Sequence, residues 1–125
     1  MGNNVILDAL KSELLAAEDV LNSEYSFDKA ESNYLRCLEI IRRAPEMRSE
    51  IIDLLKSLFD TRAISSEPVA YLMHVLRWPE MRDWAEVKLS QLPNAIATGA
   101  PLEKMIEAFS DDWENREFYK LFSTK

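Results

Sequence analysis

An all-α protein of three consecutive helical hairpins behind one leading helix, seven helices in all, is the fold this chain of 125 residues predicts. Three observations carry that expectation. First, a phrase recurs: Arg43-Ala44-Pro45-Glu46-Met47-Arg48 returns 34 residues later as Arg77-Trp78-Pro79-Glu80-Met81-Arg82. A further step of the same size reaches Asp111-Asp112-Trp113-Glu114-Asn115-Arg116, which keeps the Glu and the Arg and loses the proline. The register extends upstream through Leu38, Leu72 and Ile106 and through Cys37, Tyr71 and Met105. A fixed period of this size marks stacked repeats. Second, apolar residues recur at threes and fours, and no segment alternates apolar and polar residues as a strand does. Third, with two glycines and no low-complexity tract, the chain reads as one ordered domain over residues 1–125.

The leading helix, within residues 1–25, is drawn by the stripe Ile6, Leu7, Leu10, Leu14, Ala17 and Leu21. Residues 26–62 form the first hairpin. Ser26 offers a hydroxyl cap and Asp28 an acid in the first turn of a helix that buries Tyr34, Leu35, Leu38 and Ile41. Pro45 ends that helix and opens the next, because proline needs no amide at the first helical position and disfavours helix in the residue before it. Met47, Ile51, Leu54, Leu55 and Leu58 make the next apolar face. Residues 66–92 form the second hairpin. Ser65-Ser66-Glu67-Pro68 starts it, Trp78-Pro79 is its corner, and the second helix carries Met81, Trp84, Ala85, Val87 and Leu89. Pro93-Asn94 ends that helix, and the stretch to Gly99 is the longest expected connection. Residues 100–122 form the third hairpin, with Met105, Ile106 and Phe109 on one helix and Trp113, Phe118, Tyr119, Leu121 and Phe122 on a last helix from about Asp111.

The formal net charge of −7 repels phosphate backbones and anionic lipid, which argues against nucleic-acid and membrane-surface partners. No apolar run approaches the roughly 18 residues of a membrane span. Met1-Gly2-Asn3-Asn4 lacks the basic start and apolar stretch of a secretion signal, and one cysteine excludes an intrachain disulfide framework. These features predict a cytoplasmic protein. The acids gather at Glu13–Glu31 and Glu103–Glu117, a distribution suited to steering a basic protein partner.

The segment Pro79-Glu80-Met81-Arg82-Asp83-Trp84-Ala85-Glu86-Val87-Lys88-Leu89 resembles the second helix of a HEAT repeat, and Pro45-Glu46-Met47-Arg48 resembles the same element. The third copy departs, with Trp113 for the proline, Asn115 for the aliphatic residue and Tyr119 for the alanine. The resemblance covers roughly residues 27–122. It implies a short right-handed stack with the second helices lining an inner surface, in a family that mostly binds other proteins.

Catalytic constellations are sparse. His74 stands alone in a slot shared with Ile40 and Ala108, and Cys37 shares its slot with the apolar Tyr71 and Met105, so both read as packed side chains. No Gly-rich phosphate cradle exists, and the sequence predicts no metal, cofactor or catalytic residue. Glu46, Glu80 and Glu114 share one repeat position, and Ser49, Asp83 and Glu117 the position three residues on, so stacking aligns them into an acidic strip. Arg48, Arg82 and Arg116 read as a ladder pairing with acids of adjacent repeats. Trp84 reads as core, whereas Trp78 and Trp113 read as partly exposed aromatics beside acids, the composition of a binding hot spot.

The expected binding surface is therefore Glu46, Trp78, Glu80, Asp83, Asp111, Asp112, Trp113, Glu114 and Glu117. By class, small acidic immunity proteins of bacterial toxin systems are similar in size, charge and lack of catalytic groups. That comparison implies an inhibitor of a basic, nuclease-type toxin. A general scaffold or assembly adaptor is the alternative, and an enzyme with an unrecognised site the third reading.

Overall fold

The fold follows from a run of helix-start signals and a shortage of glycine. A computed structural model describes residues 2–92 and 99–122. Six α-helices occur among the described residues: α1 (Gly2–Glu24), α2 (Phe27–Arg42), α3 (Arg48–Asp60), α4 (Ser66–Leu76), α5 (Pro79–Gln91) and α6 (Ala100–Glu107). Single 3₁₀ turns lie at Pro45–Met47, Glu114–Phe118 and Lys120–Phe122, and no strand is found among the described residues. The connection expected over Pro93–Thr98 lies outside the described residues.

The local signals act where they stand. The Ser26 hydroxyl accepts the Lys29 amide at 3.2 Å and caps α2. Pro45 turns the chain through a 3₁₀ turn into α3, and Pro79 occupies the first position of α5. Ser65 precedes α4 without capping it, because its hydroxyl donates instead to Glu18 Oε1 at 3.0 Å and ties α4 to α1. Tyr25, Arg62 and Arg77 all take the left-handed conformation at or just beyond the ends of α1, α3 and α4, a role glycine usually fills. Arg77 is held there by its own side chain, which donates to the His74 carbonyl at 2.8 Å, the Phe109 carbonyl at 2.8 Å and Asp111 Oδ1 at 3.1 Å.

The two-residue corner Tyr25-Ser26 folds α2 back along α1, the most extensive helix pair in the molecule. Fully buried Leu10, Leu14 and Ala17 on α1 meet Ala30, Tyr34, Cys37 and Leu38 on α2. Helix α2 also packs on α4, α4 on α6, and α5 on α6, while α1 reaches α3 and α4. One continuous core results, running from Leu10 to Tyr119. At its centre lies α4, buried on every residue from Ser66 to His74.

The last hairpin departs from expectation. No α-helix forms over Asp111–Phe122, and the two 3₁₀ turns take its place. With three rather than 3.6 residues per turn, the apolar residues there no longer share one face. Trp113 and Tyr119 are buried while Phe118 and Leu121 face solvent. Leu35 and Val87, also expected in the core, are exposed.

Candidate functional site

Each residue of the expected acidic strip is placed by a turn or a helix start. Glu46 is exposed in the 3₁₀ turn after Pro45, and Glu80 and Asp83 are exposed near the start of α5. Glu80 is already neutralised: Arg48 Nη2 donates to its Oε1 at 2.5 Å, linking the start of α3 to the start of α5. That hydrogen bond is the main reason the Glu80 carboxyl sits below its ordinary pKa. Arg82 turns to Asp83 of its own helix at 3.7 Å, and Arg77 to Asp111 at 3.1 Å. Arg116 donates to the Phe122 carbonyl at 3.3 Å, so of the three arginines expected to form a ladder, Arg48, Arg82 and Arg116, Arg48 is the one that pairs with a carboxylate of the next hairpin among the described residues. Asp112, Glu114 and Glu117 are exposed, and among the described residues no Lys or Arg pairs with them. Glu114 and Glu117 lie three apart in one 3₁₀ turn, where such positions eclipse.

The two tryptophans expected at the surface are not there, which corrects that assignment. Trp113 is 3% exposed and Trp78 9% exposed. Trp78 lies under the Arg48 guanidinium, 4.9 Å from ring centroid to Cζ. Trp113 packs against His74 at 5.0 Å and Tyr119 at 5.9 Å between ring centroids. Trp84 is half-buried, edge-on to Phe59 at 5.8 Å.

His74 and Cys37 are both enclosed. Nδ1 of His74 lies 2.7 Å from the Ala108 carbonyl, 34 residues away, and in the neutral ring with its proton on that atom it donates there. Burial holds the imidazole below its ordinary pKa, against the opposing pull of that carbonyl. The Cys37 thiol is pushed up to about 12, chiefly by burial and then by Glu13, so it stays protonated at neutral pH.

The most unusual chemistry lies on carboxylates the sequence reading passed over. Glu31 on α2 is 4% exposed and Glu67 at the start of α4 is 7% exposed. Glu31 accepts the Tyr71 hydroxyl at 2.7 Å, the Lys120 amide at 2.9 Å and the Leu121 amide at 3.1 Å. Glu67 accepts the Asn115 amide group at 3.0 Å and the Tyr119 hydroxyl. Around them the rings of Tyr34, Tyr71, Tyr119, His74 and Phe122 meet at tilted and edge-on angles. Burial drives the hydroxyls of Tyr34, Tyr71 and Tyr119 well above the ordinary range; Tyr71 and Tyr119 donate to the two acids, whereas the buried Tyr34 hydroxyl has no hydrogen-bond partner among the described residues. A signal for these acids existed: Glu31 lies on the stripe Phe27, Ala30, Tyr34, Cys37 and Leu38, and Glu67 lies four residues before Tyr71. An acid on an apolar stripe is a buried acid.

Burial raises the Glu67 carboxyl above its ordinary value, outweighing the hydrogen bonds from Tyr119 and Asn115 that favour the charge. The folded protein therefore holds this proton more tightly than the unfolded chain does. That contribution to stability is complete below the ordinary carboxylate value and is lost as pH rises through the raised one. Glu67→Gln keeps an acceptor without the charge. In thermal melts from roughly pH 4 to pH 8 it is expected to raise stability at neutral pH and to remove this downward slope. A variant as pH-sensitive as the parent would assign the slope to another group.

A surface groove of about 630 Å³ is bounded by Glu18, Phe59, Arg62, Lys88 and Leu102, with Lys88 held by Asp60 at 3.1 Å. Among the described residues, no group of three His, Cys, Asp or Glu side chains is arranged to hold a metal ion. None of their helices is long and apolar enough to cross a membrane. No protein family, curated protein or solved structure matches this chain.

Proposed function

We propose that this chain is a non-catalytic protein-binding module, an inhibitor or immunity protein that neutralises a basic, nuclease-type toxin through an acidic surface. The observation that carries the reading is the group of Asp112, Glu114 and Glu117, exposed and without a Lys or Arg partner among the described residues. Carboxylates already matched by arginine, as Glu80 is by Arg48, add little to the field a cationic partner meets. Unmatched ones steer that partner and set the salt dependence of its binding. The centre of the acidic surface thus moves from the start of α5 to residues 111–117. Trp78 and Trp113 leave the proposed surface, because both are occupied in the core.

A HEAT-like right-handed stack is the architecture this reading assumes. Its support is the succession of α2, α4 and α6 in contact and two links that span one repeat, His74 to Ala108 and Arg77 to Asp111. The third repeat lacks its second α-helix, as suits a terminal unit.

The test is to purify the chain from its native host, identify the protein that accompanies it, and titrate the recombinant pair against salt. One basic partner is expected, with affinity falling about 10-fold or more between roughly 0.05 and 0.3 M salt. Glu114→Lys combined with Glu117→Lys is expected to weaken binding by about 10-fold or more. Glu80→Lys with Asp83→Lys should do less, since Arg48 and Arg82 already offset those charges. Unchanged affinity after both reversals would remove the acidic surface as the site.

A further inference from the structure

The segment over residues 113–122 is attached to the rest of the molecule in an uncommon way. It contains no α-helix, and the amides of Lys120 and Leu121 are satisfied by a side chain of α2, where a helix would supply a backbone carbonyl. Two further polar ties, from Tyr119 and Asn115, end on Glu67 of α4, and the exposed Lys120 ammonium pairs with Asp28 of α2 at 3.8 Å. Two buried carboxylates thus take most of the segment's hydrogen bonds, and among the described residues the donors bonded to them in these contacts are neutral hydroxyls and amides. Ion–dipole bonds of this kind offset only part of what it takes to bury a carboxylate.

Both holding points are reachable from outside. A groove of about 440 Å³ lined by Asp28, Glu31, Ser32, Leu35, Lys120 and Leu121 opens beside one catch. Another, of about 420 Å³, opens beside Glu67 and is lined also by Leu21, Tyr25, Phe27 and Lys104. Water entering either groove can replace the donors that the segment supplies. Beneath the segment, α2 and α4 keep their own partners: α1 lies along α2, and α6 along α4. Lifting residues 113–122 leaves those packing surfaces intact and uncovers the rings of Tyr34, Tyr71 and His74.

We propose that residues 113–122 form a latch that opens as a unit while α1 to α6 stay folded, with Glu31 as its main catch and Glu67 as the second. The open form presents a groove between α2 and α4 floored by tyrosine and histidine rings and flanked by two carboxylates. This inference stands apart from the acidic-surface reading and does not require it.

Native-state hydrogen exchange by NMR on the full chain tests the latch. The amides of Lys120 and Leu121 are expected to share one opening, with protection roughly 100-fold below that of Leu55 in α3 and Met73 in α4. Glu31→Gln should lower protection at Lys120 and Leu121 by a further 10-fold or so, and at Leu55 and Met73, whose opening includes that of the latch, by no more than that, whereas Ile51→Ala in the core of α3 should lower protection at Leu55 and Met73 and leave Lys120 and Leu121 unchanged. Tyr119→Phe, which removes one bond at the second catch, should act in the same direction by a smaller factor. Equal protection at all four amides in the parent, or a fall at Lys120 and Leu121 in Ile51→Ala equal to that at Leu55 and Met73, would overturn the latch and make the segment an integral part of one cooperative fold. Unprotected Lys120 and Leu121 amides in the parent would overturn it as well, because no latched state would then exist.

Discussion

Trp78→Ala should destabilise the protein by about 3–5 kcal/mol, the range for emptying a large aromatic site in a core. The ring is buried at the entry to α5, and Arg48 lies over it while pairing with Glu80. Truncation therefore opens a cavity and unseats the guanidinium that joins α3 to α5. Urea unfolding at neutral pH measures this as a lower midpoint with an unchanged slope. The comparison that gives it meaning is with a surface role. An exposed aromatic kept for a partner would leave stability within about 0.5 kcal/mol of the parent. A change that small would return Trp78 to the binding surface.

Leu72→Ala is the second large effect, expected at about 2–5 kcal/mol. Leu72 is completely buried on α4, the helix enclosed on every residue from Ser66 to His74. With neighbours on all sides, the helix has nowhere to shift to refill the space, which places the loss toward the upper part of that range. Leu35→Ala provides the contrast within one experiment. The side chain belongs to the apolar face expected of its helix from the sequence, yet it is exposed on α2, and its truncation should cost less than about 0.5 kcal/mol. Similar losses at the two positions would mean that the burial described for them is wrong.

What could be read from the residues and what could not divide along a physical line. Helix starts were legible because each depends on chemistry within a few positions: the Ser26 cap, the Pro45 turn, the Pro79 corner. One pair a single period apart, His74 and Ala108, does meet in the fold. The conformation of the last segment was not legible. Trp113, Phe118, Tyr119, Leu121 and Phe122 suit an amphipathic helix taken alone, but Glu31 and Glu67 capture groups 89 and 52 residues away and set the backbone there. Those two acids were in turn hidden among an acidic background that looks like ordinary surface. The pairing within the expected acidic strip was hidden for a related reason: repeat position gives no sign that Arg48 reaches across to Glu80.

The bond between Glu31 and the amides of Lys120 and Leu121 also has a bearing on synthesis. A ribosome releases Glu31, Tyr34 and Tyr71 long before residues 120 and 121 leave the exit tunnel. Throughout that interval the growing polypeptide carries a sticky aromatic face and an acid without its final donors. Chaperone engagement on the nascent chain should therefore be concentrated between the emergence of α4 and the emergence of residue 122, and should end when that residue is free.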